Sequence, residues 1–364
     1  MHRRQFLQTL NAMGASALLP ASVFYDKASS VLTPASTQPV VAPTNAVEVA
    51  DRGWDIPKVG VVAVGGLGTA ILGKLAGRLP YLGLSIAVDT DAHSLNRVKA
   101  NRKLLLGDGK APYLNPHAAR LAAQLSIQEI ADALAGLDMV LLLAGMGGAA
   151  GTGIAPIVAR ILREQNILTL AFATLPFSFE SQRRQQIAQT GIRELGVHVH
   201  ALLPFSNETF ARVGGADASF ASVSSQASLA FNQLYLGILN PVCRPGWVNI
   251  DYEDLRHIVL SQKGDCAFGF GSASGMDGAA AATRNAIDHP LLGQHRLRRP
   301  SAALVAMTAP PEFLMLRDSK IALNSVRKLL PPDAYVIYGT AYDDNPGNEM
   351  TVSILASGIR ESGS

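Results

Sequence analysis

Two glycine clusters in this sequence follow apolar runs and precede helix-like segments. "GGLG" spans residues 65–68 after the run "KVGVVAV", and "GGAAGTG" spans residues 147–153 after the run "DMVLLLAGM". Glycine weakens both helices and strands, so four glycines within seven positions indicate a need other than packing. Backbone N–H groups at the start of a helix carry partial positive charge and bind anions. The spacing therefore predicts two phosphate-binding turns that hold one polyphosphate between them.

The candidate phosphate-binding residues are the members of these clusters, including the hydroxyl side chains of Thr69 and Thr152. They are Gly65, Gly66, Gly68 and Thr69 in the first cluster and Gly147, Gly148, Ala149, Ala150, Gly151, Thr152 and Gly153 in the second. The dinucleotide-binding fingerprint G-x-G-x-x-G is incomplete, because Ile71 stands at its last position. Asp89 does fit the ribose-binding carboxylate of that fingerprint, so a nicotinamide-dependent dehydrogenase remains an alternative.

The composition argues against several classes of protein. The 364 residues carry 31 Lys and Arg against 28 Asp and Glu, and a net charge of +3 does not favour nucleic-acid binding. The cysteines, Cys243 and Cys266, are far apart and the eight histidines are scattered, so neither a disulfide framework nor a metal site is predicted. The sequence contains no run of about 20 apolar residues that would predict a membrane span.

From Lys58 onward, apolar strands alternate with helices. The alternation includes one helix near "PHAARLAAQLSIQEIADALAG" and a strand "VHVHALLPF". His198 and His200 would lie on one face of that strand, and we interpret them as structural residues. This alternation predicts a doubly wound α/β domain with a parallel sheet. Right-handed crossovers bring the carboxyl ends of its strands to the edge where ligands bind. A long helix closed by Pro241 follows. Four further strand-like runs separated by helices predict a second, smaller α/β domain with a mixed sheet.

Several separated motifs together resemble the tubulin/FtsZ family, and bacterial FtsZ in particular, from about residue 58 to residue 359. "GGAAGTG" resembles the family signature GGGTGTG. The segments "AVDTDAHSL", "TLPFSFESQRR" and "RPGWVNIDYEDLR" resemble family segments and follow in the family's order. The resemblance implies a GTPase domain, a long central helix and a smaller C-terminal domain. It also implies GTP and GDP as ligands, with Mg²⁺ accompanying the nucleotide.

The resemblance assigns further contacts to the nucleotide. It implies that Glu180 binds the ribose hydroxyls, that Arg184 reaches over the nucleotide and that Asn207 helps to read guanine. Ser228 stands where a guanine-reading asparagine is expected, and Asp89 belongs to the segment after the second strand. Taken in isolation, Glu180 and Arg184 have the i, i+4 spacing of an ordinary ion pair on a helix surface.

The segment "NIDYED" matches the family's NxDxxD synergy loop with Asn249, Asp251 and Asp254 as the candidate catalytic residues. In the family, this segment of one subunit reaches the nucleotide of the next, and its carboxylates are suited to orient or deprotonate the attacking water. The resemblance therefore implies hydrolysis of GTP within a homopolymer, because a head-to-tail contact builds an open filament. The alternative is a helix N-cap followed by acidic residues of the first turn.

The sequence also departs from the family's pattern around the phosphates. Ala149 and Ala150 replace a glycine and a threonine of the signature, Thr69 replaces an asparagine, and a glycine-rich loop is reduced to "DGKAPYL". Each lost polar contact to a buried ligand group costs about 1–3 kcal/mol. Besides a GTPase in cell division or membrane remodelling, a degenerate scaffold that does not hydrolyse GTP is therefore an alternative.

The predicted organisation has a leader, two domains and a tail. Residues 1–54 are a leader and linker, 55–217 the nucleotide-binding domain, 218–241 the central helix, 242–255 the synergy loop, 256–359 the C-terminal domain and 360–364 the tail. Arg3 and Arg4 fit a twin-arginine signal that exports the protein to the periplasm. Alternatively, residues 1–25 form an amphipathic tether that holds the protein in the cytoplasm at the surface of the inner membrane. The tail lacks the family's usual adaptor-binding peptide, so we expect different division partners.

Overall fold

The computed structural model describes residues 56–109, 115–215, 217–260, 265–292, 297, 300–343 and 349–359. These residues belong to one compact unit, Asp51–Ser364. The predicted leader, with Arg3 and Arg4, and the predicted tail lie outside the described residues. No helix within the described ranges is long and apolar enough to cross a lipid bilayer.

The first part of the described chain forms a six-stranded sheet covered by helices. Its elements are β1 (Val59–Val64), α1 (Gly65–Leu75), β2 (Leu82–Asp89), α2 (Ala92–Arg97), β3 (Arg102–Leu105), α3 (Pro116–Leu125), α4 (Ile127–Leu134), β4 (Met139–Gly145), α5 (Ala149–Glu164), β5 (Leu168–Leu175), α6 (Gln182–His198), β6 (Ala201–Ser206) and α7 (Asn207–Gly214). The strands lie in the order β3-β2-β1-β4-β5-β6, and every neighbouring pair is parallel. This sheet confirms the predicted doubly wound α/β class.

Both faces of this sheet are buried. Along β1, Val61 and Ala63 belong to the hydrophobic core on one face, whereas Val62 and Val64 belong to the core on the other. The first core contains residues of α1, α2 and α7, and the second contains residues of α3, α4, α5 and α6. A strand covered on both sides needs apolar residues at every position, which explains the continuous apolar runs in the sequence.

The chain order within the sheet reverses between β1 and β4. β1 pairs with β2 on one side and with β4 on the other, with Val64 opposite Ala144 at the last rung. In doubly wound sheets, such a reversal leaves a crevice at the carboxyl ends of the two strands, where ligands bind. Because α1 follows β1 and α5 follows β4, both glycine clusters lie at this crevice.

A second sheet follows a long helix. The elements are α8 (Phe220–Cys243), α9 (Tyr252–Leu260), β7 (Asp265–Ser274), α10 (Gly278–Ile287), β8 (Ala302–Ala309), α11 (Leu316–Arg327), β9 (Tyr335–Tyr342) and β10 (Glu349–Ile359). The strands lie in the order β7-β10-β8-β9. β10 is antiparallel to both β7 and β8, whereas β8 and β9 are parallel. The predicted mixed sheet is therefore confirmed.

α8 joins the two sheets through one hydrophobic core. The ring of Phe231 in α8 packs edge-on against Phe172 of β5, with centroids 5.6 Å apart, and the same core contains Phe268 of β7. At Gly237 the helix approaches β10 so closely that an added Cβ atom would lie 2.6 Å from the Cβ atom of Ser353. Glycine at this position therefore lets the helix backbone pack directly on the second sheet.

The end of α8 differs from the prediction. The helix does not stop at Pro241 but continues to Cys243, where the N–H of Arg244 donates to the carbonyl oxygen of Asn240 at 2.8 Å. Proline lacks an N–H group, so near the end of a helix it removes one hydrogen bond without preventing the remaining turn. The single helix predicted after residue 115 is also divided, because Ser126 separates α3 from α4.

The segment "VHVH" is not a strand. His198 is the last residue of α6, and β6 begins at Ala201. The Nδ1 atom of His200 accepts a hydrogen bond from the N–H of Thr169 at 3.0 Å. Burial lowers the pKa of both histidines. His200 therefore supports the backbone of β5 as a neutral acceptor.

We expect the buried face of α8 to control the stability of the whole unit. Leu234 is fully buried in the core shared by both sheets, so Leu234→Ala is expected to cost about 2–5 kcal/mol of unfolding free energy in urea titrations. Leu229, on the same helix, is 44% exposed, and Leu229→Ala is expected to cost less than about 1 kcal/mol. Equal losses for the two variants would contradict this account of the core.

Candidate functional site

The two glycine clusters meet at the crevice between β1 and β4. Gly65 has a φ angle of +74°, which L side chains rarely adopt, and a Cβ atom added to it would lie 2.8 Å from the N atom of Gly151. Gly151 in turn lies against β4, where the carbonyl oxygen of Gly145 would be 2.1 Å from an added Cβ atom. A side chain at Gly65 would push α1 away from α5, and one at Gly151 would push α5 away from β4. The structure thus brings the two clusters into backbone contact.

Most of each cluster is the first turn of a helix rather than a loop. α1 begins directly at Gly65, and residues 146–148 connect β4 to α5. Among the residues that the structure describes, no side chain caps the N-terminus of either helix. The first N–H groups of a helix have no partner within the helix. Because Gly66 is exposed and Gly148 and Ala149 are partly exposed, an anion can reach both N-termini.

The glycines of the clusters serve two different purposes. Added Cβ atoms would lie 2.7 Å from the carbonyl oxygen of Leu143 at Gly68 and 2.3 Å from that of Pro116 at Gly153. These two glycines therefore let α1 and α5 pack closely on neighbouring backbone. At Gly66 the nearest atom would be 3.8 Å away. A side chain is thus sterically tolerated at Gly66, where glycine leaves room for a ligand instead.

The turn before α5 is closed by Thr152. Gly147 has a φ angle of +93°, and its N–H donates to the Oγ1 atom of buried Thr152 at 2.9 Å. The Cβ atom of Ala150 would lie 3.3 Å from a Cβ atom on Gly65, so its methyl group fills space where the helices meet. The Thr152 hydroxyl retains a proton that it can donate to a ligand oxygen.

A buried polar network lies beneath the first cluster. The Oγ1 atom of Thr69 donates to the carbonyl oxygen of Gly66 at 3.0 Å and lies 3.0 Å from the Oγ atom of Ser94. Ser94 also hydrogen-bonds the carboxyl group of buried Asp89. The network joins the end of β2 to the start of α1, so Thr69 and Asp89 both support the crevice.

Asp89 is held in an environment that disfavours its charge. Burial raises the pKa of its carboxyl group, whereas hydrogen bonds from Ser94 and from the N–H groups of Thr90 and Asp91 lower it. The N–H of Thr90 donates to Oδ1 at 2.7 Å. The charge of Asp91 raises the pKa further, and the net direction is upward. A carboxyl group in this setting gains a proton more readily than a solvated aspartate does.

Glu180 and Arg184 lie at the edge of the second cluster. The Nε atom of Arg184 is 3.0 Å from the Oε2 atom of Glu180, so the i, i+4 ion pair is present. The other carboxylate oxygen accepts the N–H of Phe177 at 2.8 Å. Arg184 also covers Gly147, because a Cβ atom there would lie 2.9 Å from its Cγ atom. The pair is therefore both a local ion pair and a neighbour of the crevice.

The two positions assigned to guanine differ in their surroundings. Asn207 is the first residue of α7, directly after β6, and is partly exposed. Ser228 is buried in α8, and its hydroxyl donates to the carbonyl oxygen of Ser224 at 2.8 Å. Serine inside a helix commonly bonds its own backbone in this way. The Ser228 hydroxyl is therefore engaged within α8.

Sequence reasoning missed Glu208, which directly follows Asn207. Its carboxylate accepts hydrogen bonds from the N–H of Ser178 and from the hydroxyl of Ser206. Burial raises the pKa of Glu208, but these hydrogen bonds outweigh that effect and lower it to about 2. The sequence offered one signal, a serine followed two residues later by glutamate at a helix start, but nothing in it indicated the contact with Ser178.

The acidic segment forms the start of α9. The N–H of Asp254 donates to the Oδ1 atom of Asp251 at 2.6 Å, and the N–H of Asp251 donates to the Oδ2 atom of Asp254 at 3.3 Å. The two carboxylates therefore cap the helix reciprocally, as the alternative interpretation predicted. The Oδ1 atom of Asn249 accepts the N–H of Gly246 at 3.0 Å and supports the preceding turn.

The acidic pair borders an open groove of about 640 Å³. The groove is lined by Asp251, Glu253, Asp254, Arg256, His257, Leu260 and Tyr335. Asp251 is exposed and Asp254 is partly exposed, so neither carboxylate is turned into the core of its own molecule. Each retains lone pairs that a partner or a water molecule can reach.

The acidic segment lies at the opposite edge of the sheet from the glycine clusters. The hydroxyl of Tyr252 donates to the carbonyl oxygen of Asp138 at 2.7 Å, and the carboxylate of Asp138 accepts the N–H of Lys58 at 2.7 Å. Asp138 and Lys58 immediately precede β4 and β1. The seven residues of β4 span six steps of about 3.3 Å, so the two edges of the sheet lie about 20 Å apart along this strand.

The described residues offer no ready-made metal centre. Within the ranges that the structure describes, no group of three or more His, Cys, Asp or Glu side chains is placed to hold a metal ion. Mg²⁺ that accompanies a nucleotide takes most of its ligands from phosphate oxygens and water, with one or two protein groups.

Comparisons with known proteins identify relatives over both sheets. Residues 58–215 match the GTPase domain of the Tubulin/FtsZ family, and residues 264–360 match the C-terminal domain of the FtsZ family. The cell division protein FtsZ of Pseudomonas aeruginosa is 34% identical over 316 residues, which are 86% of this chain and 80% of that one. FtsZ of Caulobacter vibrioides is 33% identical over 311 residues, and this chain spans 60% of its length.

Solved structures with the same fold include archaeal proteins. An empty FtsZ dimer from M. jannaschii superposes with a TM-score of 0.77 at 28% identity, covering 84% of this chain and 89% of that one. CetZ2 from Haloferax volcanii, solved as a GTPγS-bound protofilament, has a TM-score of 0.70 at 18% identity over 84% of this chain and 94% of that one. The second likeness concerns the fold alone.

Two glycines on helices provide a matched test of the crevice. Gly153→Ala places a Cβ atom against the backbone of Pro116, so we expect it to cost on the order of 1–3 kcal/mol of unfolding free energy. Gly66→Ala meets no such contact, and alanine favours a helix, so we expect stability to be kept or slightly increased. Urea unfolding measures both, and an unchanged Gly153→Ala variant would rule out the close contact with α3.

Removing the charge of Asp89 should alter how stability depends on pH. A carboxyl group whose pKa is raised in the folded chain contributes stability below its unfolded value, about 3.8, and loses that contribution as pH rises through the folded pKa. Asp89→Asn keeps an oxygen acceptor for Thr90 and does not titrate. As pH rises from 4 to 8, we therefore expect the melting temperature of the variant to increase relative to that of the wild type.

The exposed Asp333→Asn variant controls for the general effect of removing one negative charge. At each pH, the difference in melting temperature between Asp333→Asn and the wild type is subtracted from the difference measured for Asp89→Asn. A constant loss of stability in Asp89→Asn across the same range would contradict the proposed cost of the buried charge.

Proposed function

Because this chain belongs to the tubulin/FtsZ family, we propose that it binds GTP at the crevice between β1 and β4 and hydrolyses it to GDP and phosphate within a head-to-tail homopolymer. The match to the family's GTPase domain over residues 58–215 supports the choice of ligand. The match to the family gives no support to a nicotinamide-dependent dehydrogenase.

The crevice offers the chemistry that a nucleotide triphosphate requires. Two uncapped helix N-termini converge there, and their N–H groups and dipoles favour a polyanion. We assign the phosphates to the two glycine clusters, including Thr69 and Thr152, the ribose to Glu180, and the base to Asn207 with Ser228 nearby. Arg184 covers the second cluster and adds a positive charge beside the phosphates. Mg²⁺, when bound, neutralises part of the phosphate charge during transfer.

The proposal of a homopolymer rests on one observation: the glycine clusters and the acidic segment lie at opposite edges of the first sheet. Asp251 and Asp254 lie at the amino ends of β1 and β4, about 20 Å from the crevice of their own molecule. They can approach a bound nucleotide when a second copy stacks end to end on the first. Such a contact joins different surfaces of the two copies, so it repeats without closing.

In that contact, we assign to the acidic pair the role of holding the attacking water. A carboxylate that accepts a hydrogen bond from water holds it in line with the terminal phosphate and can take its proton as the new bond forms. The reciprocal caps at the start of α9 fix both carboxylates on a rigid element before the partner arrives. Asn249 supports the turn that leads into them.

A second candidate function is a scaffold that does not hydrolyse GTP. Two observations favour it: Ala150 lacks the hydroxyl of the threonine in the family's signature, and Asp251 and Asp254 already serve as helix caps. Backbone N–H groups remain at Ala149 and Ala150, so binding of phosphate does not require the lost side chain. Hydrolysis therefore separates the two candidates more sharply than binding does.

The cellular role is proposed by analogy with the relatives. Those from P. aeruginosa and C. vibrioides are named cell division proteins. We propose that this chain acts in cell division or membrane remodelling at the inner membrane surface, with residues 1–25 as the membrane contact. These residues lie outside the described part of the chain, and the twin-arginine alternative stays a prediction.

Neutralising the acidic pair should stop hydrolysis without preventing nucleotide binding. Asp251→Asn and Asp254→Asn keep an oxygen that can cap α9, so the helix is retained while the negative charge is lost. We expect phosphate release from GTP to fall by about 100-fold or more, in line with the loss of a general base. GTP affinity of the isolated subunit should stay within about twofold, since the crevice is remote.

Glu253→Gln is the charge-matched control, because Glu253 lies between the two aspartates and is exposed. We expect it to retain most of the activity. The specific activity of the wild type should also rise with protein concentration, and filaments should sediment with GTP. Activity that is independent of concentration would contradict a site shared between subunits, and GTP binding without phosphate release by the wild type would support the scaffold.

A further inference from the structure

We propose that Glu208 is a positioning residue that sets the distance between the loop carrying Glu180 and the helix carrying Asn207. The inference rests on the proposed function, which assigns Glu180 to the ribose and Asn207 to the base. Glu208 acts through these two residues, because its own carboxylate oxygens are bonded within the protein.

Glu208 joins two segments that are 30 residues apart in the sequence. One carboxylate oxygen accepts the N–H of Ser178, in the connection between β5 and α6, and the other accepts the hydroxyl of Ser206, the last residue of β6. The Oγ atom of Ser206 also accepts the N–H of Glu208 at 3.2 Å as the cap of α7. The carboxylate is therefore held at both oxygens, and its backbone is held as well.

The loop between β5 and α6 is secured on its other side by α6 itself. The side-chain amide of Gln185 donates to the carbonyl oxygens of Ser178 at 2.7 Å and Glu180 at 2.9 Å. The N–H of Glu180 donates to the carbonyl oxygen of Phe177 at 3.0 Å. These contacts fix the shape of the loop, whereas the contact with Glu208 fixes its position relative to α7.

The anchor is close to both proposed nucleotide contacts. Ser178 is two residues before Glu180, and Glu208 directly follows Asn207. A short covalent path leaves little freedom between the anchor and each contact. Hydrogen bonds to an ionised carboxylate are about twice as strong as neutral ones, and the low pKa of Glu208, about 2, keeps it ionised at neutral pH.

Apolar packing supports the start of this loop, because Phe177 is only 8% exposed and belongs to the hydrophobic core that also contains residues of α7 and α8. The ring of Phe177 stacks on Phe179 with centroids 4.8 Å apart and meets Phe220 of α8 edge-on at 5.9 Å. Phe179 is 73% exposed and Phe220 is 75% exposed, so the part of the loop after Phe177 gains little from apolar burial. Polar contacts, among them that of Ser178 with Glu208, therefore hold this part of the loop.

The test compares two ligands that contact different parts of the proposed nucleotide site. In the full-length chain, GTP spans the phosphate, ribose and base positions, whereas inorganic triphosphate spans the glycine clusters alone. We expect Glu208→Ala to weaken GTP binding by about tenfold or more, as for a lost charged hydrogen bond, and to leave triphosphate binding within about twofold. Glu208→Gln should recover most of the loss, since its amide oxygen can accept the N–H of Ser178.

Glu129→Ala, an exposed glutamate on α4, is the control and should bind both ligands as the wild type does. Hydrogen exchange in the nucleotide-free protein should show faster exchange at the amide of Ser178 in Glu208→Ala. Equal weakening of both ligands would indicate a general structural defect and overturn the positioning role, as would unchanged GTP binding.

A wild-type chain that binds triphosphate but not GTP would overturn the proposed function, and the positioning role with it. In that case the exchange rate at Ser178 still reports whether Glu208 holds the loop. The failure of the proposed function is thereby distinguished from the failure of the anchor.

Discussion

The contact of backbone on backbone among Gly65, Gly145 and Gly151 is the constraint on which the rest of this structure depends. It lets the N-termini of α1 and α5 meet above the point where the order of the sheet reverses. A side chain at Gly65 would separate the two helices, and one at Gly151 would push α5 away from β4. In the proposed function, backbone N–H groups hold the phosphates, and alanine at positions 149 and 150 keeps these groups although a glycine and a threonine of the family's signature are lost.

The common direction of the parallel strands then separates the glycine clusters from the acidic segment. Every strand of the first sheet runs the same way, so helix N-termini gather at one edge and the segment that precedes β1 and β4 lies at the other. The acidic start of α9 is fastened to that second edge through Tyr252 and Asp138. A sheet about 20 Å deep thus lies between the crevice and the acidic pair of one molecule, and the end-to-end stacking that we propose would join the crevice of one copy to the acidic pair of the next.

Two carboxyl groups of the first sheet, those of Asp89 and Glu208, have pKa values shifted in opposite directions. Asp89 is buried beneath the first cluster among hydroxyl groups, and the raised pKa reflects the cost of its charge there. Glu208 receives an N–H group and a hydroxyl at its two oxygens, which lowers its pKa despite partial burial. The difference follows from the balance between desolvation and hydrogen bonding to the charged form.

The sequence by itself determined the class of fold and the family, because buried parallel strands need unbroken apolar runs and the glycine clusters, "NIDYED" and "PFSFESQRR" recur in the family's order. It also correctly indicated that Glu180 and Arg184 pair and that the acidic segment begins a helix. Tertiary structure alone decided which glycines pack and which stay open, since a close approach such as that of Gly153 to Pro116 joins distant segments. It likewise decided the contact of Glu208 with Ser178 and the end of α8 beyond Pro241. Local spacing carries no information about a partner that only chain folding brings near.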